Sequence, residues 1–109
     1  MADHSGHRER KRRQFRDHGI DAFADHEVLE LLLYYAIPRR DTNPAAHALL
    51  DRFGSLNAVF SAPVEELERV PGVGANAALL LKLVPQVYRR ARPSIAQNEV
   101  VLDTTERIG

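Results

Sequence analysis

Apolar residues recur along most of this chain at the three- and four-residue spacings that are typical of amphipathic helices. The densest stretch runs from Val28 to Ile37, where nearly every position is apolar. A helix that is apolar on all sides is buried on most of them, so this segment predicts the central helix of a compact all-α bundle. We expect that helix to end before Pro38, because the residue ahead of a proline disfavours the helical conformation.

Start and stop signals place further helices before and after the central one. Residues 8–18 predict a polar leading helix, and Asp25 is a candidate N-cap for the central helix. Asn43 followed by Pro44 predicts the start of another helix, because asparagine caps well and proline suits the first helical position. We expect that helix to end at Gly54, since glycine readily adopts the left-handed conformation of a C-terminal cap.

The second half of the chain predicts two short helices followed by a long one. The short helices are expected at Ser55–Phe60 and after Pro63, and the long apolar helix runs from about Ala75 to Arg90. Pro85 lies inside the long pattern and predicts a kink, because proline removes a backbone hydrogen bond and crowds the preceding turn. Three aromatic side chains are expected in the core: Tyr34, Tyr35 and Phe53.

The end of the chain departs from the helical pattern. Residues 92–98 resemble a linker, residues 99–102 suggest a short strand, and Asp103 with Glu106 three residues later resembles a helix N-cap. We therefore expect the truncated start of a following domain. The predicted division is a basic leading helix (1–18), a helix-hairpin-helix domain (19–92) and a linker with that truncated start (93–109).

The composition fits one soluble globular domain, since 44% of the 109 residues are hydrophobic and 28% are charged. Cysteine is absent, which excludes disulfides, thiolate metal sites and cysteine nucleophiles. The longest apolar run, Leu31–Ile37, is far shorter than the roughly 20 residues of a membrane span, and the charged N-terminus is unlike a secretory signal. None of the five histidines is paired at i, i+4. We therefore predict a cytoplasmic protein with no membrane contact, cofactor or metal ion.

Charge is balanced overall but unevenly distributed. The chain has fifteen Lys and Arg residues and fifteen Asp and Glu residues, and this balance excludes binding to nucleic acid by bulk charge alone. All the basic residues except Lys11 and Lys82 are arginine, which suits bidentate contact with phosphate. One cluster closes the long helical pattern at Arg89, Arg90 and Arg92. The basic residues that we expect to support nucleic-acid binding are Arg8, Arg10, Lys11, Arg12, Arg13, Arg16, Arg39 and Arg40.

The most specific motif is Pro71-Gly72-Val73-Gly74, which lies between two predicted helices. Glycine accepts a positive φ and lets another backbone approach closely, and Val73 can anchor the turn in the core. The first amides of the following helix have no intrahelical acceptor and lie at the positive end of its dipole, so they predict an anion site. The candidate phosphate-binding residues are Gly72, Val73, Gly74 and Ala75 through their amides, supported by Asn76 and Lys82.

This spacing resembles a helix-hairpin-helix motif, from the apolar residue before the Pro-Gly-Val-Gly turn to Ala78 and Leu81. The resemblance implies a hairpin whose amides hold a DNA phosphate without reading bases, a contact that positions the protein but carries no sequence specificity. A second, pseudo-repeated hairpin unit is expected where Ile37–Asn43 joins the central helix to the next one.

A wider resemblance covers residues 6 to about 92. The stretches Asp25-His26-Glu27-Val28-Leu29-Glu30-Leu31-Leu32, Ile37-Pro38-Arg39-Arg40-Asp41-Thr42-Asn43-Pro44 and Arg52-Phe53-Gly54-Ser55-Leu56 are similar to the N-terminal domain of the RadC family. The resemblance implies a non-sequence-specific DNA-binding module of a DNA-repair protein, placed before a JAMM-type metal-dependent domain. Because no His-x-His zinc signature occurs in this chain, we expect the chain itself not to be an enzyme.

Two other interpretations stay open. The same hairpin surface could serve a protein-interaction or dimerisation module, which the neutral net charge favours. The turn at Arg39–Thr42 also resembles the corresponding turn of helix-hairpin-helix DNA glycosylases. Those enzymes need a lysine nucleophile, and Lys82, the lysine that follows the hairpin, lies deep in the helical pattern.

Overall fold

The computed structural model describes the backbone of residues 4–106 and the side chains of residues 6–92. The backbone in that range forms helices and turns without a strand, which confirms the predicted all-α class. The helices are α1 (His4–His18), α2 (Asp25–Tyr34), α3 (Asn43–Phe53), α4 (Leu56–Ser61), α5 (Val64–Glu68) and α6 (Gly74–Glu106). No helix in the described range is long and apolar enough to cross a membrane.

The helices pack as two pairs around one core. α2 packs most extensively on α3, and α5 on α6, while α4 contacts both α3 and α6 and so joins the pairs. The core is fully buried at leucine positions contributed by several helices: Leu29, Leu33, Leu49, Leu67 and Leu81. α1 packs on α2 beside a smaller apolar cluster of Phe23, Leu31 and Tyr34. The α2–α3 turn and the α5–α6 turn each connect the two helices of one pair.

Helix α2 begins one residue earlier than expected. Ala24 is the N-cap, and the Glu27 carboxylate accepts a hydrogen bond from the Ala24 amide at 2.9 Å. Asp25 therefore lies in the first turn, where a carboxylate still favours the positive end of the helix dipole. The prediction of Asp25 as N-cap was wrong by one position, because Glu27 reaches back to the amide that precedes it.

The boundaries of α3 and α4 follow the predicted signals closely. α3 starts at Asn43 with Thr42 as its N-cap, so the cap again lies one residue earlier than expected. Gly54 ends α3 with a φ of 95°, which confirms its predicted left-handed C-terminal cap. The Ser55 hydroxyl accepts a hydrogen bond from the Ala58 amide at 3.1 Å and caps α4.

Helix α6 corrects the prediction for the end of the chain. It passes through Pro85 without interruption and continues to Glu106, so residues 92–98 are not an irregular linker and residues 99–102 are not a strand. A long helix supplies its own nucleus, and each following residue adds one hydrogen bond to it, which outweighs a local preference for strand. α6 also crosses the predicted boundary after residue 92 without a break, and the domain division itself stays a prediction.

Candidate functional site

The α5–α6 turn has the backbone geometry that its glycines predict. Gly72 and Gly74 both have positive φ, at 88° and 75°. Val73 between them is buried, and its amide donates to the Val70 carbonyl at 3.1 Å. Gly74, Ala75 and Asn76 are exposed at the start of α6. The turn therefore anchors itself through one valine and presents the first turn of α6 to solvent, where helix amides attract anions.

The α2–α3 turn lies directly beside it. A Cβ placed on Gly72 would be 3.3 Å from the Cβ of Ala45, which is in the first turn of α3. The Arg40 guanidinium also donates to the Gly72 carbonyl across a distance of 3.5 Å. The fold thus brings the two predicted hairpin units into contact. The start of α3 and Arg40 both lie against the α5–α6 turn, from which α6 begins.

Residues 35–42, which form the α2–α3 turn, have an unusual backbone and three exposed charged residues, the third of which is Asp41. Arg39 has a φ of 70° and is the only non-glycine residue with positive φ among those the structure describes. Arg39 and Arg40 are both exposed. A side chain in the left-handed region costs roughly 1 kcal/mol or more, and such residues cluster at functional sites.

Arg8 of α1 holds that turn in shape. Its guanidinium donates to the carbonyls of Tyr34 at 3.0 Å, Ile37 at 2.5 Å and Arg40 at 2.6 Å. It also lies over the Tyr34 ring, 4.6 Å from the ring centroid, and burial raises the pKa of Tyr34 to about 12. Tyr34 therefore stays neutral at physiological pH, so Arg8 is held by carbonyls and a ring face, not by an ion pair with that residue.

The burial of Arg8 changes its predicted role. Its side chain was expected on an exposed basic surface, but the residue is only 8% exposed, and its guanidinium satisfies the last carbonyl of α2 and two carbonyls of the following turn. Such carbonyls have no intrahelical donor, and an arginine fork can satisfy several of them at once. Arg8 therefore stabilises the backbone of the α2–α3 turn from the interior of the protein and is not available to a ligand.

The rest of the basic run divides between two faces of α1. Lys11 forms an ion pair with Glu27 of α2, and this contact holds the pKa of the Glu27 carboxyl below its usual range. Arg12 lies 3.6 Å from Glu9 on the same helix. Arg10, Arg13 and Arg16 are exposed at three-residue intervals, which places them on one outer face. This outer face is the part of the predicted run that a ligand can reach.

Lys82 lies apart from the exposed amides of α6. It is half-buried, and its ammonium donates to the Phe60 carbonyl of α4 at 3.4 Å. Asn76 is exposed in the first turn of the same helix, closer to the α5–α6 turn. Of the two supporting side chains that the sequence predicts, Asn76 is therefore placed beside the amides, while Lys82 is engaged with the end of α4.

Sequence reasoning missed a buried polar cluster behind the α2–α3 turn. Glu30 is buried, and its carboxylate accepts a hydrogen bond from the Asn43 side-chain amide and lies 3.5 Å from His7 Nε2. The Thr42 hydroxyl donates to the Glu30 carbonyl at 3.4 Å. The signal was present in the chain, because a glutamate inside the otherwise apolar Leu29–Leu33 stretch needs polar partners when it is buried.

The described residues offer no candidate metal site, since no group of three or more His, Asp or Glu side chains comes together among them. His26 and His47 stack with ring centroids 4.4 Å apart but have no third ligand in that range. The two turns instead expose backbone amides and guanidinium groups, which are suited to holding an anion.

The comparisons with known proteins agree with the motifs. The family model described as UPF0758 N-terminal matches residues 3–79. A UPF0758 protein of Fusobacterium nucleatum is 49% identical over 101 residues, which are 93% of this chain and 44% of that protein. The chain thus spans less than half the length of this curated relative, and no solved structure matches it. Because the family model covers most of the chain, the chain belongs to the UPF0758 family, the RadC-like family that its motifs resemble.

Proposed function

We propose that this chain is a cytoplasmic, non-sequence-specific DNA-binding module of a RadC-like DNA-repair protein, and that its role is binding, not catalysis. The observation that carries the proposal is the contact between the two hairpin turns, made by Arg40 on Gly72 and by Gly72 against Ala45. Through that contact Arg40 lies beside the turn that leads into the exposed start of α6, and the neighbouring Arg39 is also exposed.

The chemistry of this surface suits phosphate. Backbone amides at a helix start and arginine guanidinium groups are both donors without acceptor capacity, and both favour negative charge. Contacts from helix-start amides to phosphate oxygens fix the position of a protein on DNA but carry no sequence information. We therefore expect contacts with the DNA backbone, independent of sequence.

The balanced net charge is compatible with such binding because exposed arginines cluster at two places in the structure. Arg39 and Arg40 flank the site, and Arg10, Arg13 and Arg16 add an exposed face on α1. A small number of phosphate contacts gives weak binding with a measurable dependence on salt. Affinity in the micromolar range or poorer is expected for such non-specific contacts.

Fluorescence anisotropy with a labelled duplex of mixed sequence, titrated at several salt concentrations, tests the proposal. We expect the logarithm of the association constant to fall with the logarithm of salt by a slope that corresponds to roughly two to four phosphates. A labelled single strand of the same sequence compares the two forms of DNA. Absence of binding at about 50 mM salt would contradict the proposal and favour a protein-interaction module.

A matched pair of variants locates the binding surface. Asn76→Asp puts a carboxylate into the first turn of α6, where it favours the helix dipole but repels phosphate. Asn57→Asp makes the same change at an exposed position in the first turn of α4. We expect Asn76→Asp to lower DNA affinity by roughly fivefold or more while Asn57→Asp leaves it unchanged. Equal affinities for the two variants would show that DNA binds elsewhere.

A further inference from the structure

Helix α6 exposes a row of apolar side chains along the part that follows the turn. Leu79, Leu83 and Val87 are 59%, 56% and 56% exposed and lie four residues apart, so they share one face of the helix. The row extends for about 12 Å at 1.5 Å per residue, which is the length of roughly two helical turns. Single exposed leucines are ordinary, but a continuous row is typical of an interaction surface.

The end of α2 turns this row into a groove. Tyr35, which the sequence predicts in the core, is 69% exposed and lines a concave surface together with Leu79, Leu83 and Gln86. Past Gln86 the exposed face of α6 continues to Val87 and Arg90. We call this surface the α6 groove, with Tyr35, Leu79, Leu83, Val87 and Arg90 as its defining residues. Its exposed floor is apolar.

The charges around the α6 groove all have the same sign. Between Gly74 and Arg92, helix α6 carries Lys82, Arg89, Arg90 and Arg92 and no acidic residue. Lys82 borders the groove near Tyr35, and Arg89 and Arg90 border its far end. A second copy packed α6 against α6 would bring these positive charges together, which disfavours self-association through this face.

We propose that the α6 groove binds an acidic amphipathic helix of a partner protein. Leucine-like side chains at i, i+3 or i+4 and i+7 of that helix would pack between Tyr35 and the row on α6, as in other complexes in which a helix lies in an apolar groove. Glu or Asp residues beside those anchors would pair with Arg89 and Arg90, which are exposed. Nucleic acid matches the charge of the groove but not its apolar floor, so the partner that satisfies both is a protein helix.

This inference goes beyond DNA binding and does not depend on it. The α6 groove touches the proposed phosphate surface at Asn76, which lies at the end of the groove nearest the turn. A bound helix and a bound DNA backbone would therefore be neighbours on α6. The two activities can be separated, because Leu83 and Val87 belong to the groove and lie two to three turns beyond Asn76.

Fluorescence anisotropy with two labelled synthetic peptides tests the proposal. Both peptides form amphipathic helices with the same leucine spacing, but one carries Glu and the other Lys at the flanking positions. We expect the Glu peptide to bind the full chain with micromolar affinity and the Lys peptide at least about tenfold more weakly. Equal binding of the two peptides, or binding of neither, would overturn the proposal.

Variants assign the binding to the groove. Leu83→Asp puts a charge at the centre of the apolar row, and we expect it to weaken binding of the Glu peptide by roughly tenfold or more. Phe15→Asp makes the same kind of change at an exposed apolar residue of α1 and should leave peptide binding unchanged. Circular dichroism confirms that both variants stay helical. Sedimentation of the wild-type chain is the final check, because a dimer that Leu83→Asp dissociates would show a second copy in the groove and overturn the proposal.

Discussion

The two turns that meet at the proposed interface are shaped by different means. The α5–α6 turn is shaped locally, by positive φ at Gly72 and Gly74 and by the burial of Val73 between them. The α2–α3 turn is held by Arg8, which is distant in sequence, and the turn contains Arg39 in a left-handed conformation. The glycines of the α5–α6 turn therefore expose backbone amides. The α2–α3 turn exposes the charges of Arg39 and Arg40, and its shape depends on Arg8 of another helix.

The comparison teaches why the sequence predicts the backbone of only one of the turns. A turn that depends on glycine is visible in the sequence, because no other residue tolerates its backbone equally well. The backbone of a turn that is held by an arginine about thirty positions earlier is not determined by the residues of the turn itself. The predictions below change one turn while they leave the other intact.

Removal of Arg8 should have the largest effect. Arg8→Ala leaves the carbonyls of Tyr34, Ile37 and Arg40 without their donor in a buried setting, and we expect the free energy of unfolding to fall by about 3 kcal/mol. Arg10→Ala, at an exposed position of the same helix, should change it by less than about 0.5 kcal/mol. Urea unfolding followed by circular dichroism measures both. Equal effects of the two variants would contradict the role of Arg8 as the support of this turn.

The glycines of the α5–α6 turn offer a second, matched test. Gly72→Ala strains a positive φ and also pushes against Ala45, so we expect a loss of about 2 kcal/mol. Gly74→Ala strains a similar φ but meets open space, and about 1 kcal/mol is expected. The difference between the two variants measures the close approach of the turns. If both lose the same stability in urea unfolding, the contact with Ala45 contributes nothing.

Relief of the strain at Arg39 should raise stability. Arg39→Gly removes a side chain from the left-handed region, and we expect the free energy of unfolding to increase by about 0.5 kcal/mol. The same variant loses an exposed guanidinium group of the proposed interface, so DNA affinity should fall as stability rises. Arg13→Gly, within α1, should instead lower stability by about 1 kcal/mol. A loss of stability in Arg39→Gly would show that its backbone is not strained.

Acid should weaken the support of the α2–α3 turn by a smaller amount. Because Lys11 lowers the pKa of Glu27 in the folded state, the stabilisation is complete above the ordinary value of 4.5 and is lost as pH falls through the lower folded value. We expect the free energy of unfolding of the wild type to exceed that of Glu27→Gln by less than about 1 kcal/mol at neutral pH. The difference should vanish in acid. Urea unfolding at several pH values measures it, with Glu68→Gln as the control at an exposed carboxyl. A difference that persists in acid would contradict a role for the Glu27 charge.

The sequence predicted the framework of the fold because its determinants are local. Pro44, Gly54 and Ser55 fix the ends of α3 and α4 by capping chemistry, and the structure has those ends within one residue. The spacing of apolar residues likewise predicted which helices form the core. The course of α6 beyond residue 92 was not predicted, because a helix already formed upstream outweighs the strand preference of a short segment.

The candidate site was predicted only where the backbone alone determines it. The glycines and Val73 of the α5–α6 turn lie as their spacing predicts. The sequence could not predict which arginine side chains are buried, because the residue type of Arg8 is the same whether its side chain is buried or exposed. Tyr35 was likewise assigned to the core by its apolar neighbours, and it is exposed because α2 ends immediately before it.

The Arg8 contacts also set an order of events in folding. The three carbonyls that Arg8 satisfies lie 26 to 32 residues further along the chain, whereas the hydrogen bonds of the α5–α6 turn close within a few residues. Long loops are slower to close than short ones, and their contacts form late. We therefore expect the glycine turn to acquire its native geometry early and the arginine-bearing turn to become ordered only once α1 has docked. A nascent or proteolytically clipped chain without docked α1 would then carry one finished turn beside one that is still unformed.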